Sequence, residues 1–416
     1  MTVYASEFLY GKHTPYNSPQ NALLLLLTLI FFAMVPFYFL KITPSPLLYL
    51  EDNNTVSIMS SCDMFKGRWV PYHEGPYYTN VTCRWIIDQQ NCLKFGRPDT
   101  DYLKWRWKPD DCELPLFDAV HFMEIVREKS MAFVGDSLAR NQMESLLCLL
   151  TNVSNPIDVS YKYPANKLSY HWLYAEYNFS ISTFWSPYLV KANDTNTSHR
   201  SYTSLMNLHL DKADDAWAAQ IEGFDYVIIS AGQWFFRPGM FYEDGKLVGC
   251  HKCLKDNITE LPKFYAYRKA FQTAFKTLQN LKNYEGITLL RTLSPDHYEN
   301  GIWNDGGNCI RTRPFTRQEV YVYPDNLEFY RTQVDEYRNA KRRGRDRGLK
   351  FRLLNTTDAM LLRPDGHPNK YGHWQHQNIT FNDCVHWCLP GPIDTWNEFL
   401  LQILKIEHES SSVDKF

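Results

Sequence analysis

Short apolar segments alternate with longer amphipathic segments along most of the chain, and this alternation limits the folds that the chain can adopt. Four apolar segments have the length and composition of buried strands: Met131–Val134, Tyr226–Ser230, Ile287–Arg291 and Phe351–Leu354. The alternating pattern of Tyr177–Phe184 predicts a further strand. The helix-like segments are Asp118–Lys129, Ser137–Leu150, Lys263–Leu281 and the polar stretch 325–347. The pattern predicts an α/β fold, an α/β/α sandwich whose mostly parallel sheet is covered by helices on both faces.

The tripeptide Gly135-Asp136-Ser137 lies where the first of these strands meets the next helix. In α/β sheets the loops at the carboxyl ends of the strands carry the chemistry. A serine in the first helical turn lies close to free backbone N–H groups and to the positive end of the helix dipole. These groups suit the oxyanion that forms when Ser137 Oγ attacks an ester carbonyl. Alternatively, Asp136 or Ser137 simply caps the helix, as such residues commonly do.

A base for this serine is available near the C-terminus, in the segment Asn382–Asn397. A nucleophilic serine needs a base, and the base needs a group that orients it. Asp383 and His386 are spaced so that a helical turn or a tight loop places both side chains on the same side. Cys384 and Cys388 flank the histidine and would fix this loop if they form disulfides. A histidine near a tryptophan is often structural, but the nearby aspartate and the flanking cysteines favour a catalytic role for His386.

An uncharged apolar segment, Ala22–Leu40, precedes all of these elements. Its length is close to the ~20 residues that cross a bilayer as a helix. A cleaved signal peptide fits less well, because the segment starts far from Met1 and lacks a small-residue cleavage site. We therefore expect a single-pass membrane anchor.

All ten cysteines and all Asn-x-Ser/Thr sequons follow the apolar segment, as expected if that side is lumenal and oxidising. The sequons are at Asn53, Asn80, Asn152, Asn178, Asn193, Asn196, Asn257, Asn355 and Asn378. An even number of widely spread cysteines indicates a disulfide framework. The expected topology is type II, with a short cytosolic tail and a lumenal body in the secretory pathway.

The predicted organisation has six parts. They are a cytosolic tail (1–21), a transmembrane anchor (22–40), a lumenal stem (41–60), a Cys-rich N-terminal module (61–117), a catalytic domain (118–404) and a polar tail (405–416). The N-terminal module is rich in Cys, Trp, Tyr and Pro and has little helical periodicity. We expect disulfides, rather than a core of its own, to stabilise this small lobe.

Composition and charge exclude some partners. The formal net charge of −2 argues against nucleic acid, because phosphate neutralisation needs a basic surface. No Gly-rich phosphate loop is recognisable, and we predict no cofactor. Aromatic residues make up 15 % of the chain, which fits either a large core or a set of platforms on which sugar rings stack.

Cysteine and histidine residues outside the serine site raise the question of a metal centre. Cys250-x-x-Cys253 has the spacing of a redox motif or half of a zinc site, but no second C-x-x-C motif exists. A lumenal location favours a local disulfide there. Four C-terminal histidines fit no metal-ligand spacing: His367, His373, His376 and His386. The sequence thus predicts no metal site.

Several longer motifs carry a family resemblance. They are Cys62–Val70, Gly96–Asp99, Trp105–Trp107, Cys112–Pro115, the Gly-Asp-Ser block and the C-terminal block D-C-x-H-W-C-L-P-G-P-x-D-T-W-N. With these motifs the chain resembles the plant trichome birefringence-like family of cell-wall polysaccharide O-acetyltransferases, which have a GDSL/SGNH-hydrolase-like fold. The resemblance covers nearly the whole chain after the apolar segment, and the C-terminal block is its most specific part.

The resemblance implies a site and a set of disulfides. In that family the serine of the Gly-Asp-Ser block and the Asp and His of the last block form a catalytic triad, which corresponds to Ser137, Asp383 and His386. The implied disulfides are Cys62–Cys112, Cys83–Cys148, Cys92–Cys388 and Cys309–Cys384, which leaves Cys250–Cys253. Sequence alone does not fix the connectivity.

The segment Gly232–Cys253 resembles the branch of the family that acetylates xyloglucan. Gln233 stands where many relatives have histidine. The backbone of Gly232, just after a buried strand, is a candidate oxyanion donor, and Gly135 and Arg140 are further auxiliary candidates beside the serine. We expect Trp and Tyr side chains of the loop 232–242 to stack on sugars.

These expectations combine into one hypothesis. The protein is a Golgi enzyme that transfers acetyl groups to xyloglucan, on side-chain galactose, through an acetyl-serine intermediate. Its partners are then the xyloglucan acceptor, an acetyl donor of unidentified chemistry and the Golgi membrane. The alternatives are an acetyl esterase that uses the same triad on cell-wall polysaccharide, and a non-catalytic glycan-binding protein.

Overall fold

The predicted apolar strands form the parallel centre of a seven-stranded sheet. A computed structural model of the chain describes residues 62–163, 169–195, 204–374, 377 and 381–413. The strand order is β13-β12-β9-β3-β6-β5-β4, and every pair from β13 to β6 is parallel. The strands are β3 (Ser130–Gly135), β4 (Ile157–Asp158), β5 (Tyr170–Tyr174), β6 (Phe179–Trp185), β9 (Tyr226–Ser230), β12 (Ile287–Arg291) and β13 (Lys350–Leu354). Strands β4 and β5 add an antiparallel edge.

Helices cover both faces of this sheet. Along β3, Met131 and Phe133 belong to one buried cluster and Ala132 and Val134 to another, as the two-residue period of a strand requires. The first cluster includes side chains of α1, α2 and α7, and the second includes side chains of α4 and α5. The helices are α1 (Ala119–Ile125), α2 (Ser137–Leu150), α3 (Asp215–Ala218), α4 (Lys263–Asn280), α5 (Pro324–Gly344), α6 (Thr357–Leu361) and α7 (Asp394–Val413). The α/β fold predicted from the alternation is confirmed.

A four-stranded sheet of order β11-β10-β8-β7 was not expected from the sequence. Its strands are β7 (Val190–Asp194), β8 (Met206–Ala213), β10 (Gly239–Glu243) and β11 (Lys246–His251). The hairpin β10–β11 turns at Asp244 and Gly245, both with positive φ, and Asp-Gly is a strong hairpin signal. Strand β7 is short and polar, so its apolar pattern is too weak to reveal it. In β8, Met206, Leu208 and Leu210 alternate with polar residues, a strand signal that the sequence analysis missed.

The N-terminal module consists of a two-stranded antiparallel sheet, β1 (Gly67–Pro71) and β2 (Trp105–Pro109), with turns and short 3₁₀ segments. Trp69 and Trp107 pack edge to face, with ring centroids 5.7 Å apart, inside the same core cluster as α2 and α7. Its tryptophans are thus buried against the catalytic domain, and disulfides supplement that contact.

All ten cysteines are paired. The five disulfides are Cys62–Cys112, Cys83–Cys148, Cys92–Cys388, Cys309–Cys384 and Cys250–Cys253. These are the pairs that the family resemblance implies. Two of them, Cys83–Cys148 and Cys92–Cys388, attach the N-terminal module to α2 and to the loop that carries His386.

The sequons differ in exposure. Asn152, Asn178, Asn193 and Asn257 are exposed, and Asn80 is half-buried. Asn53, Asn196 and Asn378 lie outside the described residues.

Asn355 is the one buried sequon asparagine among those that the structure describes. Asn355 is only 4 % exposed, its Oδ1 accepts a hydrogen bond from Thr292, and its Nδ2 donates one to Tyr330. An N-linked glycan would replace a proton of this buried amide nitrogen. A glycan on this nitrogen would therefore have to disturb the hydrogen bond to Tyr330.

The two ends of the chain carry the remaining predictions. The boundary expected between Leu404 and Lys405 falls inside α7, which continues to Val413. None of the described helices is long and apolar enough to cross a membrane. The predicted anchor, stem and cytosolic tail lie outside the described residues.

Candidate active site

Ser137 is the first residue of α2, directly beyond the carboxyl end of the central strand β3. Gly135 has φ +155°, and a Cβ atom at this position would collide with the carbonyl oxygen of Ser230 on the neighbouring strand. The cap of the helix is Asp136, whose Oδ1 accepts a hydrogen bond of 3.0 Å from the N–H of Leu138. Because Asp136 does the capping, the hydroxyl of Ser137 is not needed for it.

Asp136 is buried beside this cap. Burial raises the pKa of its carboxyl group above the ordinary value, and the positive charge of Arg291 opposes that rise. The hydrogen bonds from the N–H groups of Leu138 and Ala139 also favour its ionised form.

Ser137, His386 and Asp383 form a continuous hydrogen-bonded chain. The Oγ of Ser137 lies 2.6 Å from Nε2 of His386, and Nδ1 of the same ring lies 2.7 Å from Oδ2 of Asp383. With the aspartate ionised, Nδ1 carries the proton and Nε2 presents its lone pair to the serine hydroxyl. The sequence-predicted trio is thus brought together in the order that a nucleophile, its base and an orienting carboxylate require.

Asp383 also organises the backbone of its own loop. Its Oδ1 accepts hydrogen bonds from the N–H groups of Val385 (3.1 Å) and His386 (2.9 Å), while Oδ2 holds the imidazole. Burial alone would raise the pKa of Asp383, but the charge and hydrogen bonds of His386 lower it below the ordinary value. The carboxylate therefore stays ionised and fixes both the loop and the ring.

The environment of His386 makes it a stronger base than a free imidazole. Burial and, more weakly, the charge of Arg140 lower its pKa, but the charge and hydrogen bond of Asp383 outweigh them and raise the pKa above the ordinary value. The side chain still keeps 25 % of its surface exposed, so a substrate can reach it. A basic, accessible imidazole in contact with a hydroxyl suits general-base catalysis.

Asn141 lies one helical turn beyond Ser137 and was missed by the sequence analysis. Its Oδ1 accepts a hydrogen bond of 2.9 Å from the N–H of Trp387, and its Nδ2 donates one of 3.3 Å to the carbonyl of Trp387. The helix that carries the nucleophile therefore holds the residue next to the base. The available signal was the polar run Arg140-Asn141-Gln142 in a helix whose other residues are mostly apolar.

The N-terminal module supports the loop that carries the base. Cys92 is disulfide-bonded to Cys388, and the carbonyl of Gln90 accepts a hydrogen bond of 2.9 Å from the N–H of Leu389. The buried guanidinium of Arg97 donates to the carbonyls of Asp365 (2.6 Å) and His367 (2.9 Å). These contacts fix the backbone at the end of the catalytic loop, at Cys388 and Leu389, and in the neighbouring segment 365–367.

Of the auxiliary residues predicted from sequence, Arg140 lies beside the triad. Its Nε is 3.6 Å from Oε1 of Glu144, and its charge acts on His386. Burial raises the pKa of Glu144 to about 7, although the charge of Arg140 acts in the opposite direction. Arg140 thus places a positive charge one helical turn from Ser137, at the edge of the site.

Gly232 and Gln233 follow β9, the parallel neighbour of β3, so they lie at the same edge of the sheet as Ser137. The side-chain amide of Gln233 donates a hydrogen bond of 3.3 Å to the carbonyl of Ser294. The hydroxyl of Ser294 in turn accepts one of 2.9 Å from the indole N–H of Trp387. Gln233 thus hydrogen-bonds to Ser294, whose hydroxyl contacts the residue that follows His386.

Two half-buried tryptophans lie at the same edge of the sheet as Ser137. Trp185, the last residue of β6, pairs with Gly135 in the sheet. Its ring meets that of Trp234 edge to face, with centroids 5.5 Å apart, and Tyr188 packs on Trp234 as well. Among the rings of the loop 232–242, Trp234 is the one that contacts Trp185, the sheet partner of Gly135.

Within the described part of the chain, one group has the spacing of a metal site: Cys250, Cys253 and Glu260. Its two cysteines are joined as a disulfide, so neither offers a thiolate. This geometry gives no support to a zinc site there.

Comparison with known proteins assigns the chain to a family. Residues 114–403 match the PC-Esterase family, described as the GDSL/SGNH-like acyl-esterase family found in Pmr5 and Cas1p. The chain belongs to this family. Residues 60–113 match the PMR5 N-terminal domain. The resemblance seen in the sequence motifs is confirmed.

Curated relatives are similar over most of their length. "Protein trichome birefringence-like 19" of Arabidopsis thaliana is 49 % identical over 380 residues, covering 90 % of this chain and 88 % of the relative. "Xyloglucan O-acetyltransferase 4" of Populus trichocarpa is 43 % identical, covering 83 % and 81 %. "Xyloglucan O-acetyltransferase 2" of Arabidopsis thaliana is 39 % identical, covering 87 % and 88 %. The chain is therefore an enzyme of the polysaccharide acetyltransferase or esterase kind.

Proposed function

We propose that the protein transfers acetyl groups to xyloglucan through an acetyl-serine intermediate. The observation that carries the proposal is the continuous chain from Ser137 Oγ through the imidazole of His386 to the carboxylate of Asp383. The acceptor is inferred from the relatives that are named xyloglucan O-acetyltransferases. We place the acetyl group on side-chain galactose, as the sequence resemblance implies.

In the first half of the reaction, Ser137 Oγ attacks the acetyl carbonyl of the donor. The hydroxyl proton moves to Nε2 of His386, and Asp383 stabilises the imidazolium that forms. When the tetrahedral intermediate collapses, the bond to the leaving group breaks and the leaving group takes the proton from His386. In the second half, His386 accepts the proton of a sugar hydroxyl, whose oxygen attacks the acetyl-serine. When the second tetrahedral intermediate collapses, the bond between the acetyl carbon and Ser137 Oγ breaks, and Oγ takes the proton back from His386.

The oxyanion of both tetrahedral intermediates needs donors at the start of α2. The N–H groups of Leu138 and Ala139 are bonded to Asp136, through its side chain and its carbonyl respectively. We assign the oxyanion to the N–H of Ser137, together with that of Gly232 at the same edge of the sheet. Each such donor contributes about 2.7–4 kcal/mol to transition-state stabilisation in other serine enzymes.

Transfer must outrun hydrolysis, so the acceptor has to displace water from the acetyl-enzyme. We propose that a sugar ring of the acceptor packs against Trp185 and Trp234, which contact each other at the same edge of the sheet as the serine. The proposed location is the Golgi lumen, with the chain held as a type II membrane protein by residues 22–40. Its support is the disulfide framework, which needs an oxidising compartment.

The test is acetyl transfer by the purified full chain, with Ser137→Ala as control. The chain is incubated with an acetyl donor and a panel of oligosaccharides from xyloglucan, xylan, mannan and pectin. Mass spectrometry then measures acetyl gain on each oligosaccharide. We expect a Ser137-dependent gain on galactosylated xyloglucan alone, and a gain that is unchanged in the Ser137→Ala protein would refute the triad.

The second candidate is an acetyl esterase on cell-wall polysaccharide. It is favoured by the family description, which names acyl-esterases. The same triad supports it, because water and a sugar hydroxyl are activated by the same histidine. Release of acetate from acetylated polysaccharide, without acetyl gain on any acceptor in excess, would select the esterase.

A further inference from the structure

The peptide group that joins His386 to Trp387 is held on both sides by buried side chains. Its carbonyl oxygen lies 2.7 Å from Nδ1 of His367, and its N–H donates to Oδ1 of Asn141 at 2.9 Å. His367 is 1 % exposed and Asn141 is fully buried. They come from different parts of the chain, so this one peptide connects α2 to the loop that follows α6.

His367 has a second partner. Its Nε2 lies 2.7 Å from Nδ1 of His297, whose Nε2 lies 3.2 Å from the carbonyl of Leu361. Three contacts therefore form a row from the carbonyl of His386, through the imidazoles of His367 and His297, to the carbonyl of Leu361. Two neutral imidazoles have two N–H groups, so only two of the three links can be hydrogen bonds.

The distances decide which link lacks a proton. Lone pairs facing each other at 2.7 Å repel strongly, so the two short links need protons, and the 3.2 Å link to Leu361 is the one without. His367 then carries its proton on Nδ1 and donates it to His386 O, while His297 carries its proton on Nδ1 and donates it to Nε2 of His367. His297 thereby fixes the tautomer of His367.

Both rings are neutral, as this assignment requires. Burial lowers the pKa of His297 to about 4 and lowers that of His367 well below its ordinary value. The ring of His367 stacks on Trp387 at 4.0 Å, and the backbone carbonyl of His367 is held by Arg97. The ring cannot turn away from the peptide without losing its stacking on Trp387.

We propose that His367 is a positioning residue for the catalytic base, through the donor at its Nδ1 and with Asn141 on the opposite side of the same peptide. The two side chains fix the 386–387 peptide and so hold Nε2 of His386 within reach of the serine. A misplacement of about 1 Å at a reacting group can reduce the rate on the order of a hundredfold. This inference rests on the proposed role of His386 as the base, but not on the identity of the acceptor.

A matched pair of substitutions tests the donor atom. His367→Asn places an amide N–H where Nδ1 was, and so keeps the hydrogen bond to His386 O. His367→Gln reaches the position of Nε2 instead, so it keeps a partner for His297 and loses the bond to His386 O. A residue needed only for packing would tolerate both substitutions or neither.

The primary measurement is the rate at which a fluorophosphonate labels Ser137 in the full chain, since labelling needs the base but neither acetyl donor nor sugar. We expect labelling of His367→Gln to be slowed tenfold to a hundredfold, and labelling of His367→Asn to stay within about threefold of wild type. Near-ultraviolet circular dichroism and the melting temperature report whether both proteins fold. A third variant, Asn141→Leu, removes the acceptor of the Trp387 N–H and should be slowed like His367→Gln.

The outcomes separate this inference from the proposed function. If His367→Gln folds and labels as fast as wild type, or if both His367 variants fold and are slowed equally, the inference is wrong. If either variant fails to fold, Asn141→Leu decides in the same assay, and unchanged labelling there refutes the inference. If Ser137 in the wild type does not react at all, the catalytic proposal fails first.

Discussion

The N-terminal module and the four-stranded sheet both attach to the central seven-stranded sheet, but they act on different parts of the site. The module reaches the catalytic loop through Cys92–Cys388, the bond from Leu389 to Gln90 and the guanidinium of Arg97. The four-stranded sheet has a disulfide between neighbouring residues of the chain, Cys250–Cys253. The loops that lead into its strands carry Tyr188 and Trp234.

This difference indicates that the N-terminal module affects catalysis by the base, whereas the four-stranded sheet affects acceptor binding. The module holds the loop that contains the base, so loosening it should disturb the distance between Ser137 and His386. A loop that leads into the four-stranded sheet carries Trp234, which is proposed to pack on the acceptor, so disturbing that side should change how the acceptor binds. We therefore expect changes in the module to lower the reaction rate, and changes beside the four-stranded sheet to lower the affinity for the acceptor.

The largest effect is expected when the disulfide of the module is removed. Replacing Cys92 and Cys388 together by alanine frees a loop of 296 residues and should cost about 2–5 kcal/mol of unfolding free energy. The same change at Cys250 and Cys253 should leave both stability and the labelling of Ser137 close to wild type. Denaturant unfolding and fluorophosphonate labelling measure the two effects. Equal losses in both double variants would break the comparison.

A smaller effect is expected at Arg97. Arg97→Met leaves the buried carbonyls of Asp365 and His367 without their donors, at a cost of about 1–3 kcal/mol in unfolding free energy. The matched control is Arg68→Met on the same module, because the exposed pair of Arg68 with Asp110 at 3.6 Å contributes about 0–1 kcal/mol. Chemical unfolding of both variants tests this, and a loss at Arg68 as large as at Arg97 would contradict it.

The pH dependence should follow the same division. Protonated His386 is inactive as a base, and its pKa is raised, so kcat/KM should fall as the pH drops through a value above 6.5. Loosening the loop through the Cys92 and Cys388 double variant weakens the contact with Asp383, so this acid limb should move to lower pH. The Cys250 and Cys253 double variant should keep the wild-type profile. A profile of kcat/KM against pH for the three proteins measures the shift, and identical limbs would contradict the account.

The smallest effect is expected on the side of the four-stranded sheet. Trp234→Ala removes a ring that is proposed to pack on a sugar, a contact worth about 0.5–1.5 kcal/mol. The KM for the xyloglucan acceptor should rise about threefold to tenfold, while the labelling rate of Ser137 stays unchanged. Steady-state kinetics with varied acceptor measure this. A fall in the labelling rate instead would show that Trp234 acts on the triad.

The parts of the site that lie close together in the sequence could be predicted. Asp383 and His386 are near neighbours, and Gly135-Asp136-Ser137 joins a recognisable strand to a recognisable helix, so residue type and spacing were enough. Asn141 could not be found in this way, because its partner Trp387 is 246 residues away in the chain. The contacts of His367 with His297 and His386 likewise exist only after the loops are folded together.

The fold divides in the same way. The central strands are apolar because both of their faces are buried, and this composition reveals them. Strand β7 (Val190–Asp194) is partly exposed and polar, so tertiary contacts rather than its own composition make it a strand. The sequon at Asn355 is the opposite case, in which a local motif suggests an exposed site but the asparagine is buried.

The central claim is that Ser137 carries the acetyl group between donor and sugar. The most direct measurement is mass spectrometry of the peptide that contains Ser137, after the full chain is mixed with an acetyl donor and then with galactosylated xyloglucan oligosaccharide. The account predicts one acetyl group on Ser137 that disappears as one acetyl group appears on the sugar. Acetyl gain on the sugar with no labelled peptide, at the same rate in Ser137→Ala, would contradict it.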